Sequence, residues 1–237
     1  MAEKTSRATQ GQRCAIKAVH IFIAICLVAL AIFLVPSCIL AVLHPKEPHL
    51  QIVVQTVMEF VSAVVLIWAI SKGNWKEWGF CAPTKIPKAV YAGLLIGVVS
   101  VLLGMLISTV IEFKPISYLE IPFLYQIPCF WLLAPVGEET VFRGLAQSYL
   151  RVHIKGSFRL AKWRVSYPAL IGALVFGLVH LGSIGQGANL PATIFTVCTA
   201  FVVGLVAGYF RDETGSLGAP ILIHSLVNVV GILFTLF

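Results

Sequence analysis

The sequence predicts an all-α bundle of seven transmembrane helices, eight if a break within the fourth divides it, with the N-terminus on the cytoplasmic side. Three observations carry that prediction. Hydrophobic residues make up 59% of the 237 residues and charged ones 11%, against roughly 25% charged in an ordinary soluble domain. The apolar residues gather into long runs, and the cations collect in alternate connections between them. With a mean hydropathy of +0.94, the chain has too little polar surface to clothe a water-soluble globule. A soluble enzyme, a disordered chain and a free nucleic-acid binder are excluded.

The runs follow in order. Ala18–Leu43 is apolar apart from His20 and a mid-run Pro36, and is longer than the ~7–15 residues of a signal-peptide core. Leu50–Ile70, Ala89–Glu112, Pro122–Leu150, Pro168–Gly182, Leu190–Phe210 and Gly215–Phe237 come next. A span takes about 20 residues, so the fourth run is long and the fifth short. Pro135 and Gly137 interrupt the fourth. Between the second and third runs, Lys72–Lys88 interleaves lysines with Trp75, Trp78 and Phe80, the pattern of an interfacial stretch or of a loop with aromatic anchors. Gly93-xxx-Gly97 and Gly204-xxx-Gly208 have the spacing of close helix packing. Residues 1–17 read as a cytoplasmic tail, 18–121 as N-terminal membrane helices with the basic loop, and 122–237 as a catalytic helical core.

Counting charges orients the bundle. With the N-terminus inside, fourteen cations fall on cytoplasmic segments, among them Lys4, Arg7, Arg13, Lys72, Arg151, Lys162 and Arg211, and only Lys46 and Lys114 lie outside. That asymmetry is the positive-inside pattern, and it accounts for the net charge of +7 without a nucleic-acid partner. The six cysteines form no CxxC pair, so neither a disulfide framework nor a thiolate metal site is expected.

Ionisable groups inside a span cost about 2.5–3.5 kcal/mol each on insertion scales. This chain nevertheless places Glu138, Glu139, Arg143, His180, His224 and Asn228 in its later runs, and Glu59 with Gln51 and Gln55 on one face of the second. The last three are read as hydrogen bonders between helices. At 1.5 Å per residue, Glu138 lies about 20 Å from Arg151, His180 about 18 Å from Pro168, and His224 and Asn228 about 14 and 20 Å from Gly215. Three separate helices thus bring carboxylate, imidazole and amide to one depth. Glu139 and Arg143 are four apart and pair on one face, which turns Glu138 toward the cavity. Phe176 and His180, and His224 and Asn228, have the same spacing. Pro135 suits a first helical turn, which would set both glutamates at a positive dipole end. A carboxylate that takes a proton from water and an amide that donates to an oxyanion amount to hydrolysis of an amide bond within the membrane.

Glu138-Glu139-Thr140-Val141-Phe142-Arg143-Gly144 resembles the EExxFRG signature of the CAAX-protease and bacteriocin-processing family of intramembrane proteases. Phe176 to His180 resembles its FxxxH motif. Gly215-Ser216-Leu217, Pro220, His224 and Asn228 resemble its third, GSLxxPIxxHxxxN. The motifs stand in family order over roughly residues 122–230. The resemblance implies an integral membrane endopeptidase opening to the cytosol and acting on a peptide or a lipidated protein tail. Glu138 with His180 would activate water, His224 and Asn228 would hold the oxyanion, and Glu139, Arg143 and Phe176 would support the site. It implies no required metal. The alternative is zinc on Glu138, His180 and His224, although no HExxH is present. Two other functions compete. A catalytically silent immunity or scaffold protein of the same family is one; a transporter using the buried polar groups is the other, and it lacks the internal repeat common in that class.

Overall fold

The computed structural model describes residues 2–116 and 122–234, with no side chains described for 2–13, 48, 123 and 234. The cations Lys4, Arg7 and Arg13, the domain boundary expected at 121 and the last three residues of the seventh run therefore lie outside what is described.

Seven helices follow one another among the described residues. α1 runs Ala2–Ala29, passes through a π turn at Leu30–Leu34 and continues over Val35–Leu43. α2 is Pro48–Ser71 and α3 Ile86–Ser108. α4 is composite: Phe123–Gln126, a π turn at Ile127–Leu133, Ala134–Glu139, a second π turn at Thr140–Gln147, then Ser148–His153. α5 is Tyr167–Val179, prolonged by a 3-10 stretch His180–Gln186; α6 is Leu190–Thr214 and α7 Gly218–Phe234. An antiparallel hairpin, β1 Ser157–Leu160 and β2 Trp163–Ser166, links α4 to α5. It is an addition to the all-α prediction, small and confined to a connection.

The expected seven spans are not all carried by length. Among the described residues, five helices are long and apolar enough to cross a bilayer: Cys14–Leu43, His49–Ser71, Ile86–Ser108, Tyr167–Gln186 and Leu190–Thr214. The fourth run is the segmented α4. The seventh offers the shorter apolar helix Gly218–Leu233, about 24 Å long. The break expected at Pro135 is absent, because α4 stays helical through it.

Outward faces are greasy, as a lipid solvent requires: Phe22, Trp68, Leu106 and Leu124 are all exposed. Inside, Val28, Ala31, Phe142, Phe176 and Val203 form the main apolar cluster. A second joins Ala89, Val206, Phe210 and Ile223 from α3, α6 and α7. α3 meets α7 backbone to backbone, since a side chain at Gly93 would come within 2.9 Å of the Ile223 carbonyl, and one at Gly97 within 2.9 Å of Val230.

Caps set the helix ends. Ser166 accepts from the Ala169 amide at the start of α5, and Asn189 from the Ala192 amide at the start of α6, each satisfying a donor the helix leaves unpaired. Asn189 also donates to the Glu112 carbonyl and accepts from the Lys114 amide, which ties the α3–α4 connection to α6. On the basic face, the stretch after α2 forms a short 3-10 turn at Trp75–Trp78 with Trp78 buried. Hydrogen bonds from Leu217 to the Gly79 carbonyl and from Ser216 to the Cys81 carbonyl latch it onto the α6–α7 turn. It is a folded loop bound to the bundle.

Candidate active site

The site is built where α4, α5 and α7 meet. Glu139 is fully buried, and its Oε1 accepts from Arg143 Nη1 at 3.1 Å, the pairing expected from their spacing. The same oxygen stands 3.0 Å from Nδ1 of His224. A carboxylate can only accept, so Nδ1 carries the proton and the other ring nitrogen of a neutral His224 presents its lone pair. That nitrogen, Nε2, lies 4.0 Å from Oε2 of Glu138. The separation is too long for a direct hydrogen bond and suits two groups that share a small polar molecule. Oε2 of Glu138 is itself buried with no hydrogen-bond partner among the described residues.

Phe176 organises this cluster from α5. Its ring is edge-on to His180 and to His224, with centroids 4.9 and 5.5 Å away. The Arg143 guanidinium lies 4.6 Å from its centroid, a cation–π contact in a dry setting. Arg143 needs Gly204 behind it, because a Cβ there would sit 2.9 Å from Nη2. His180 donates Nδ1–H to the Phe176 carbonyl at 2.8 Å, which leaves its Nε2 for the cavity. Asn228 donates from Nδ2 to the Phe130 carbonyl at 2.9 Å, with a second amide hydrogen to spare.

His180, His224 and Asn228 line one cavity of about 450 Å³, walled mostly by apolar residues of α3 and α6 such as Val101, Phe195 and Val203. One expectation changes in this light. The glutamates stand in mid-helix, so no N-terminal dipole end lies next to them. The lining runs on to Ser108, Phe113 and Ile116, at the end of α3 far from the basic loop.

Sequence reasoning left out one neighbour. Glu59 of α2 is buried, accepts from Gln55 at 2.8 Å and is close enough to Glu138 for the two carboxylates to repel. Its helix touches the site at Gly137, whose Cα faces the Thr56 carbonyl and Glu59. The signal was available in the Gln55–Glu59 spacing, but it reads equally as ordinary helix packing. As for zinc, no three His, Cys, Asp or Glu side chains among the described residues converge as a metal site.

Residues 120–230 match the profile of the Rce1-like family, described as type II CAAX prenyl endopeptidase Rce1-like. The likeness to this family lies within that segment, just under half of the chain. The Rce1-like segment takes in the motifs, and α1–α3 precede it. The chain is also 31% identical over 104 residues to an uncharacterized 24.3 kDa protein of Escherichia coli, an alignment covering 44% of this chain and 41% of that relative. It thus spans less than half of the curated relative it matches. No solved structure matches the chain.

Proposed function

We propose that this protein is an intramembrane endopeptidase that hydrolyses a peptide bond with water activated by Glu138. The observation that carries the reading is the placement of Glu138 Oε2 opposite His224 Nε2, with His224 keyed by the buried Glu139–Arg143 pair and itself lining the apolar cavity. Water held between carboxylate and imidazole gives its proton to Glu138 as its oxygen bonds to the scissile carbonyl carbon. The spare hydrogen of the Asn228 amide stabilises the oxyanion, a contribution of about 3–4 kcal/mol where such donors have been removed. The carbon–nitrogen bond then breaks, and the proton on Glu138 passes to the leaving amine. Glu139 and Arg143 are positioning residues: they fix the ring of His224 without touching substrate. His180 presents Nε2 from the α5 wall to the substrate backbone. The apolar cavity accommodates the greasy part of a peptide or lipidated protein tail, and no metal takes part.

The test is cleavage of lipidated and unlipidated reporter peptides by the purified full chain in nanodiscs, with and without chelator. Glu138→Ala and His224→Ala should each abolish turnover, and chelator should leave it intact. Cleavage that survives Glu138→Ala sinks the site. Loss on chelation with recovery only on zinc sinks the metal-free mechanism. Tight reporter binding without cleavage by the wild type would favour the silent family member.

A further inference from the structure

The bundle holds a second pocket, of about 680 Å³, on the basic face. It lies between the Trp75–Trp78 turn, the end of α4 and the end of α6, and shares no lining residue with the catalytic cavity. Its charge is one-sided. Lys76, Arg151, Lys155 and Arg211 line it against a single carboxylate, Glu77. Asp212, just outside, engages Arg151 at 3.7 Å and accepts from Gln147, which leaves most of the positive charge uncompensated.

Arg211 is the group least explained by folding alone. It is 1% exposed. One terminal nitrogen, Nη2, donates to the Glu77 carbonyl at 2.7 Å and to Ser148 at 3.0 Å, while Nε is buried with no acceptor among the described residues. A guanidinium fixed at one end, with donors remaining and two further cations at the rim, is a ready receptor for a multidentate oxyanion. Such basic pockets between membrane helices, at the level of the head groups, are where anionic lipids bind. The rim continues into lipid: Val152 lines the pocket and is well exposed. Beside it α4 is joined to α1 through His20, which stacks on His153 at 3.7 Å and bonds the Tyr149 hydroxyl at 3.0 Å. Ile16 and Val19 of α1 are exposed on the same stretch.

We propose that this pocket binds the phosphate of an anionic glycerophospholipid, with Arg151, Lys155 and Arg211 as the anion receptor and the acyl chains lying against α1. The inference is independent of the catalytic reading. The phosphate chemistry is shared with free inorganic phosphate, so the test separates the two. The purified full chain is placed in nanodiscs of phosphatidylcholine alone, or with phosphatidylglycerol added, and in a third arm with phosphatidylglycerol and inorganic phosphate in the buffer. Lipid released with the protein is counted by native mass spectrometry. Wild type should retain phosphatidylglycerol over phosphatidylcholine, and Arg151→Gln/Lys155→Gln should lose that preference at least tenfold. The control Arg159→Gln/Arg164→Gln, on the β-hairpin, should keep it. Lys76→Gln, at the opposite rim, should weaken it by a smaller factor. Equal retention by the pocket variant and wild type overturns the proposal, as does loss confined to the hairpin control. Displacement of the lipid by inorganic phosphate at modest concentration would overturn the lipid assignment in favour of the free anion.

Discussion

Two membrane prolines, Pro36 in α1 and Pro135 in α4, meet the same physical problem and solve it alike. Each lacks the N–H that an intrahelical bond needs, and in lipid the deserted carbonyl finds no water. A π turn precedes each: the Val35 amide reaches back to Leu30, and the Ala134 amide to Cys129. A side-chain amide from another helix then supplies a donor in the gap. Gln55 donates to the Ile32 carbonyl at 2.7 Å, four residues before Pro36. Asn228 donates to the Phe130 carbonyl at 2.9 Å, the acceptor that a π register assigns to residue 135. The difference lies in what each repair holds. At Pro36 it joins α1 to α2. At Pro135 it joins the helix of the two glutamates to the helix of His224, so the same kind of bond there also fixes the distance between acid and imidazole. Asn228 thereby holds the two helices together, besides the role of oxyanion donor proposed for it.

Substitutions can break or sharpen that contrast. The largest effect is expected from Asn228→Leu, which removes the side-chain bond to the Phe130 carbonyl and the proposed oxyanion donor: reporter cleavage should fall about 10²–10³-fold, and thermal unfolding should show a loss of about 1–3 kcal/mol. Gln55→Leu should cost a similar amount of stability while cleavage per folded molecule stays near wild type; equal loss of turnover in both variants would dissolve the contrast. Smaller is the coupling at the second proline. Pro135→Ala restores an N–H, so it should recover roughly 1 kcal/mol in the Asn228→Leu background, read from a double-mutant cycle, without restoring cleavage. The smallest effect belongs to a control far from either proline. Lys85 pairs with Glu213 at 2.6 Å on the surface, and that hydrogen bond raises its pKa. The sign is that of a base bound more tightly to its proton when folded: its contribution is present below the ordinary lysine range and fades as pH rises through the raised value. Lys85→Gln should therefore cost a small amount of stability near neutral pH, as surface pairs do, and that difference from wild type should fade in strong alkali.

Much of the site was legible because membrane burial makes polar residues conspicuous. Glu138, Glu139, Arg143, His224 and Asn228 stood out against apolar neighbours, and four-residue spacing sufficed to pair Glu139 with Arg143. Spacing within one helix says nothing about which imidazole of another helix comes nearest, so the partnership of Glu138 with His224 had to await the packing. π turns have no side-chain signature of their own. Pro135 flagged an irregularity, yet whether it breaks a helix or is absorbed depends on a donor 93 residues further along the chain at Asn228. Span counting reaches only five helices by length for a related reason: Gly218–Leu233 is apolar, while its length is set by the turn at Gly215. The hairpin at 157–166 was hidden among cations that read as loop. Its strand pairing is local, and Trp163 is anchored by stacking on Tyr209 of α6.

The seat that Gly93 and Gly97 provide for α7 bears on how far the Rce1-like portion can be transplanted. His224 rides on α7, and α7 is clasped by α3, which precedes the Rce1-like segment. A graft of residues 120–230 into another bundle would bring every motif along and leave its second histidine without a cradle. Only donors offering two small residues one turn apart, at the matching height, would accept it.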